Sequence, residues 1–210
     1  MHNHDDGHGH SSPDAPQSRQ WRRILWFALA VNATMFFVEV GAGISADSSA
    51  LLADALDFFS DALNYGISIG VMGLAVAWQT RAAFFKGISL IVLGLLVVGN
   101  LFWNLYLGTV PEAPVMGVIG LMALIANMVV AVLLYRFRNG DANMRSVWIC
   151  TRNDAVGNLA VLLAAVGVFG TATGYPDFIV AAILATLGLS AGWQTLRQTI
   201  KEHRDHRNMR

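Results

Sequence analysis

The stretch Ala50-Leu51-Leu52-Ala53-Asp54-Ala55-Leu56-Asp57-Phe58-Phe59-Ser60-Asp61 decides how this chain is read. It lies in an apolar run of helix length, roughly 50–77, yet it carries three aspartates. Asp54, Asp57 and Asp61, continued by Asn64 and Ser68, follow one another at steps of 3, 4, 3 and 4. That spacing puts all five on one stripe of an α-helix, with apolar side chains over the remaining faces.

The surroundings of this helix explain why its acids matter. Of 210 residues, 55% are hydrophobic and only 13% are charged, with a mean hydropathy of +0.50. A soluble domain carries about 25% charge. Fourteen Lys and Arg balance fourteen Asp and Glu. This balance excludes a basic nucleic-acid binder, so no nucleic-acid partner is expected. The single cysteine, Cys150, excludes an intrachain disulfide framework and a multi-thiolate metal cage.

A bilayer-spanning helix needs about 20 mostly apolar residues. Six such runs occur, at roughly 24–44, 50–77, 84–107, 114–135, 146–170 and 177–196. Short polar or Gly/Pro breaks separate them, among them Asp47-Ser48-Ser49, Gln79-Thr80-Arg81 and Gly174-Tyr175-Pro176. The expected fold is an all-α integral membrane protein with six transmembrane helices over 21–197. Residues 1–20 read as a disordered His-rich tail, and 198–210 as a short basic tail. Thirteen of the fourteen bases fall in the N-terminal flank, the second and fourth breaks and the C-terminal segment; Arg152 is the exception. By the positive-inside tendency both termini are cytoplasmic.

Charges within a span are costly and usually mark a site or a pathway. Cys150, Asp154, Gly157 and Asn158 share one face of the fifth run, and Asn32 and Glu39 share one face of the first. At 1.5 Å per residue, Asp61 lies roughly 16 Å from one membrane surface and Asp154 roughly 14 Å from the other. Both reach the middle of a core about 30 Å thick. Two i, i+4 pairs on facing helices, Asp57 with Asp61 and Cys150 with Asp154, can then surround one metal ion. Asp54, Asn158 and Glu39 are candidates for the pathway. A protonated aspartate bonding two helices is the plainer alternative for any one acid, and Cys150 can equally be an apolar filler. Asn100, Asn104 and Asn127 read as interhelical links. A membrane hydrolase built on paired aspartates finds no nucleophile–base pair here, so no enzyme is expected.

The second-run motif resembles that of the cation diffusion facilitators, six-helix antiporters of zinc and other divalent metals against protons. Their second helix carries His or Asp, three residues, then Asp; here the pattern is Asp57-x-x-x-Asp61. Asn32 and Glu39 leading into Gly41 and Gly43, Asn127, and the Pro176-Asp177 opening of the sixth run are similar as well. The likeness covers roughly residues 22–196. It implies divalent metal as transported substrate, no prosthetic group, protons as the counter-ion, a homodimer, and a bacterial inner membrane. The fifth helix departs from the pattern, because Cys150 stands where the family has His and Arg152 lies two residues before Asp154. With Arg210 as the last residue, the expectation is a short form without the cytoplasmic metal-binding domain that many members append.

His2, His4, His8 and His10, with Asp5 and Asp6, form a cluster suited to capturing divalent metal for the transport path. An ordinary solvated tail is the alternative. A second functional reading is a non-transporting membrane subunit or metal-sensing scaffold derived from this family, and the changed fifth helix favours it.

Overall fold

The computed structural model describes residues 15–71, 76–139 and 142–208, with side chains placed for all of these except 15–18, 71, 76–80, 142–147, 149–150, 152–153 and 202–208. The tail histidines and the side chains of Cys150 and Arg152 lie outside the described residues. Six α-helices account for most of the rest: α1 (Ala15–Ser45), α2 (Ser49–Val71), α3 (Val76–Leu107), α4 (Ala113–Tyr135), α5 (Ala142–Thr171) and α6 (Tyr175–Asn208). No strand occurs among the described residues.

The helix ends follow local chemistry in most places. Ser48 caps α2, its hydroxyl accepting from the Leu51 amide at 3.1 Å. Pro114 in the first turn of α4 lacks an N–H that the helix has no use for there. Gly108 takes φ +65° just past α3, where glycine is the least strained residue. The second break differs from the expectation. Gln79, Thr80 and Arg81 lie inside α3, which begins at Val76, and α2 ends at Val71. Residues 72–75, Met-Gly-Leu-Ala, lie outside the described residues and include no polar side chain.

Five helices are long and apolar enough to cross a membrane: α1, α3, α4, α5 and α6. The exception is α2. It has 23 residues, so no 18-residue stretch within it avoids any of Asp54, Asp57 and Asp61. Its position resolves the conflict between charge and apolar surroundings. It packs against α1, α3, α5 and α6. Among the described residues the large exposed apolar side chains, such as Phe37, Leu96, Phe102, Val132 and Phe169, all come from elsewhere in the chain. The most acidic helix is therefore the one shielded by the others.

Two large apolar clusters pack around the acids. Leu51, Leu56, Leu101, Met116, Val161 and Phe178 belong to one. Trp21, Leu25, Tyr65, Val130, Leu134 and Phe137 form the other. At the first end the breaks after α1, α3 and α5 meet. Glu112 donates its amide to the Ala46 carbonyl at 3.0 Å, and a Cβ on Gly174 would run into the Thr109 carbonyl.

Candidate metal site in the helix bundle

The acids of α2 divide into two environments. Asp61, near the Tyr65 end, is well supplied with donors. The Tyr65 hydroxyl lies 2.9 Å from its Oδ2 and 2.6 Å from the Thr151 hydroxyl of α5. The Asn64 side chain also bonds Asp61, and Lys86 of α3 donates to Asn64 Oδ1. Asp154 of α5 approaches Asp61 within hydrogen-bonding reach. Two carboxyl groups at that separation need a proton or a cation between them. The helix geometry explains the meeting: Tyr65 is one turn from Asp61 on α2, and Thr151 is nearly one turn from Asp154 on α5.

Toward the other end, Asp54 meets Glu39 of α1. Both are fully buried, and none of their four carboxyl oxygens has a donor. The two side chains are again within reach of each other, so the pair is held only if it shares a proton or a cation. Asp57 lies between the two groups along α2. Gly157 of α5 faces it: a Cβ there would sit 3.6 Å from Asp54 Oδ1, from Asp57 Oδ2 and from Leu184 Cδ2. The missing side chain leaves α5 open toward these two carboxyls. Asn158, next in sequence, is fully buried with both amide atoms unpaired.

Of the four expected ligands, Asp61 and Asp154 are brought together across α2 and α5, and Asp57 lies beside Gly157 of α5. Cys150 lies outside the described side chains. Among the described residues no three His, Cys, Asp or Glu side chains are close enough to hold one ion, so Asp57, Asp61 and Asp154 are not closed into a cage here. The pathway candidates Glu39, Asp54 and Asn158 are all buried, and all present unsatisfied polar atoms to the bundle interior.

Residues 25–202 match the cation efflux transmembrane domain. The chain belongs to the cation efflux family. Within it, the chain is 26% identical to the zinc transporter ZitB of Escherichia coli K12 over 208 residues, which cover 93% of this chain and 66% of that protein. It is 21% identical to the metal cation efflux system protein CzcD of Cupriavidus metallidurans, over 92% of this chain and 64% of CzcD. It is 22% identical to a cadmium, cobalt and zinc/H(+)-K(+) antiporter of Bacillus subtilis, over 95% of this chain and 65% of the antiporter. The chain thus spans just under two thirds of the length of these relatives. Matched to a transmembrane domain and carrying five helices apolar enough to span, this cation efflux protein is an integral membrane protein.

Several residues of this cation efflux bundle have roles that the sequence reading missed. Tyr65 and Thr151 join α2 to α5, and the signal was present in their spacing from Asp61 and Asp154. Asp177 was named only with Pro176 as the opening of the sixth run. It accepts from the Ser48 hydroxyl at 2.7 Å, the Ser49 amide at 2.9 Å and the Ala50 amide at 3.1 Å. It therefore satisfies the first amides of α2 with a carboxylate from α6, favourably placed at the positive end of the helix dipole. Asn100 and Asn104 behave as the expected links. Ser49 donates to Asn100 at 2.9 Å, and the Asn104 amide reaches Ser49 and the Asp47 carbonyl, each at 3.2 Å.

Proposed function

We propose that this chain exports divalent transition-metal cations, of the zinc, cobalt, cadmium or iron class, from the cytoplasm in exchange for protons. Metal is bound by Asp57, Asp61 and Asp154 with Cys150 as the fourth ligand, and Glu39, Asp54 and Asn158 line its route. The observation that carries this reading is the meeting of Asp61 with Asp154 across α2 and α5, in a bundle interior that holds three further acids. Coordination needs deprotonated carboxylates, and protons arriving from the far side displace the metal. Relative tilting of the helices that bear the two halves of the site exposes it to each face in turn.

The same reading makes α2 a sixth span enclosed by the other five, puts both termini in the cytoplasm of a bacterial inner membrane, and has two copies of the chain work as a homodimer. His2, His4, His8 and His10 collect metal at the cytoplasmic mouth. The names of the relatives, a zinc transporter and a cadmium, cobalt and zinc antiporter among them, support metal as the substrate. The changed fifth helix, with Cys150 in the His position and Arg152 near Asp154, favours one rival, a non-transporting subunit or metal-sensing scaffold.

Flux of zinc, cobalt, iron and cadmium into proteoliposomes under a pH gradient separates the two. Wild type is expected to move at least one metal with counter-flow of protons, and Asp57→Ala and Asp154→Ala to abolish it. Variants that move metal as fast as wild type refute the site. A wild type with no proton-coupled flux refutes the transporter.

A further inference from the structure

Nine basic residues have described side chains, and seven of them are exposed: Arg19, Arg22, Arg23, Arg81, Arg136, Arg197 and Lys201. Arg138 is half-buried, but it stacks 3.7 Å over the Tyr135 ring and donates to the Tyr135 carbonyl. Lys86 differs from all of these. From the first third of α3 it reaches across to α2, donates to Asn64 Oδ1, and places its positive charge in the field of Asp61. Asn64 in turn bonds Asp61. An ammonium group is thus delivered to the α2–α5 acids by a third helix.

The root of this lysine is held rigidly. Its neighbour Gly87 packs so closely on α6 that a Cβ would lie 3.2 Å from the Gly192 carbonyl and 2.8 Å from Leu196 Cγ. Seven residues on, Gly94 takes Leu189 of α6 in the same way, with 2.7 Å between its would-be Cβ and Leu189 Cδ2. The α3–α6 pair is locked by these small-residue contacts, of the kind that let helices approach in a bilayer. The flexible Lys86 side chain links this pair to the polar stripe at Asn64.

We propose that Lys86 is a tethered counter-cation of the candidate metal site, a specificity-determining residue whose ammonium neutralises Asp61 when metal is away and is displaced when metal binds. The proposal rests on the transporter reading above. Its chemical basis is simple competition: a monovalent cation on a four-carbon stem offsets the field of one carboxylate, and a divalent ion must overcome it. Because the displaced head belongs to α3, metal binding loosens a polar tie between α3 and the Asn64 end of α2, while the Ser49 contacts with Asn100, Asn104 and Asp177 at the other end of α2 stay in place. Lys86 therefore lowers metal affinity and hastens release.

The test uses the full chain in nanodiscs and proteoliposomes, with Zn²⁺ and Co²⁺ as probes. Lys86→Gln is expected to tighten the Kd and lower the KM about tenfold, and to slow turnover by a similar factor. Lys86→Met, which keeps an apolar stem, is expected to do the same and serves if the glutamine variant does not assemble. Lys86→Arg retains the charge and is expected to keep the wild-type KM within about threefold. A residue that only braces α3 against α2 would lower turnover without tightening metal. An unchanged or weakened Kd in both neutral variants, beside an active wild type, overturns the role of Lys86 and leaves the transporter reading standing. A wild type that neither binds nor moves either metal overturns both.

Discussion

Replacing Gly157 by alanine separates the needs of the fold from those of the proposed transport path. The added methyl would lie 3.6 Å from Asp54 Oδ1, Asp57 Oδ2 and Leu184 Cδ2, all ordinary van der Waals contacts. Nothing has to move to admit it. Within a helix, alanine is preferred to glycine by up to about 1 kcal/mol. The variant is therefore expected to be as stable as wild type or more stable, with a thermal midpoint in detergent unchanged or a few degrees higher. Yet the methyl takes the open side of two carboxylates that a cation and its water would need. A loss of about 1.4 kcal/mol of binding for an entering ion corresponds to a tenfold fall in flux. Gly117→Ala on α4, where nothing lies within 4 Å of the new Cβ, is the matched control and should leave flux intact. The assay is thermal unfolding of purified protein beside metal uptake into proteoliposomes. Wild-type flux in Gly157→Ala would show that the space between Asp54, Asp57 and α5 is not on the route.

Three other substitutions probe separate parts of the bundle. Asp177→Ala strips the Ser49 and Ala50 amides of their acceptor, and at about 1–3 kcal/mol for each stranded group the cost is expected to reach about 2–5 kcal/mol, read as a lower unfolding midpoint in detergent. Tyr65→Phe and Thr151→Val each break the link between α2 and α5, and the double variant is expected to cost less than the sum of the two by about 0.5–2 kcal/mol in a thermal or denaturant cycle. Strict additivity would show that the two hydroxyls are not coupled. Glu39→Gln supplies an amide donor to the unsatisfied Asp54, so stability is expected to rise by about 1 kcal/mol while metal flux falls. Unfolding and uptake measured on one preparation check both directions.

The six-helix pattern was legible because apolar runs of membrane length are hard to mistake, and the acid stripe of α2 followed from spacing alone. The meeting of Asp61 and Asp154 was also within reach of the sequence. Two helices crossing the same slab from opposite sides must bring residues at similar rise to a common level. Depth, however, says nothing about rotation. It could not reveal that Asp57 faces Gly157 while Asp61 takes its donors from Tyr65 and Asn64. The end of α2 at Val71 and the start of α3 at Val76 were hidden because the sequence between them, Met-Gly-Leu-Ala, carries no polar residue. The capping role of Asp177 was hidden for another reason: its partners, Ser48 to Ala50, are more than 120 residues away.

The distribution of donors among the buried acids bears directly on mechanism. A carboxylate withdrawn from water is tolerated when hydrogen bonds replace its hydration, and is otherwise neutralised by a proton or a cation. Asp177 has three protein donors and a helix N-terminus, so it serves structure. Asp61 has Tyr65 and Asn64 as partners, with Lys86 behind them. Glu39 and Asp54 have no donor at any oxygen, and Asp154 has an orphaned Oδ2. These last groups depend on a proton or a cation for neutralisation. An Asp61 supplied with donors, flanked by acids that lack them and depend on a guest cation, suits a bundle in which protons and metal take turns. Four equally solvated aspartates would bind metal but would have no comparable need to exchange it for protons.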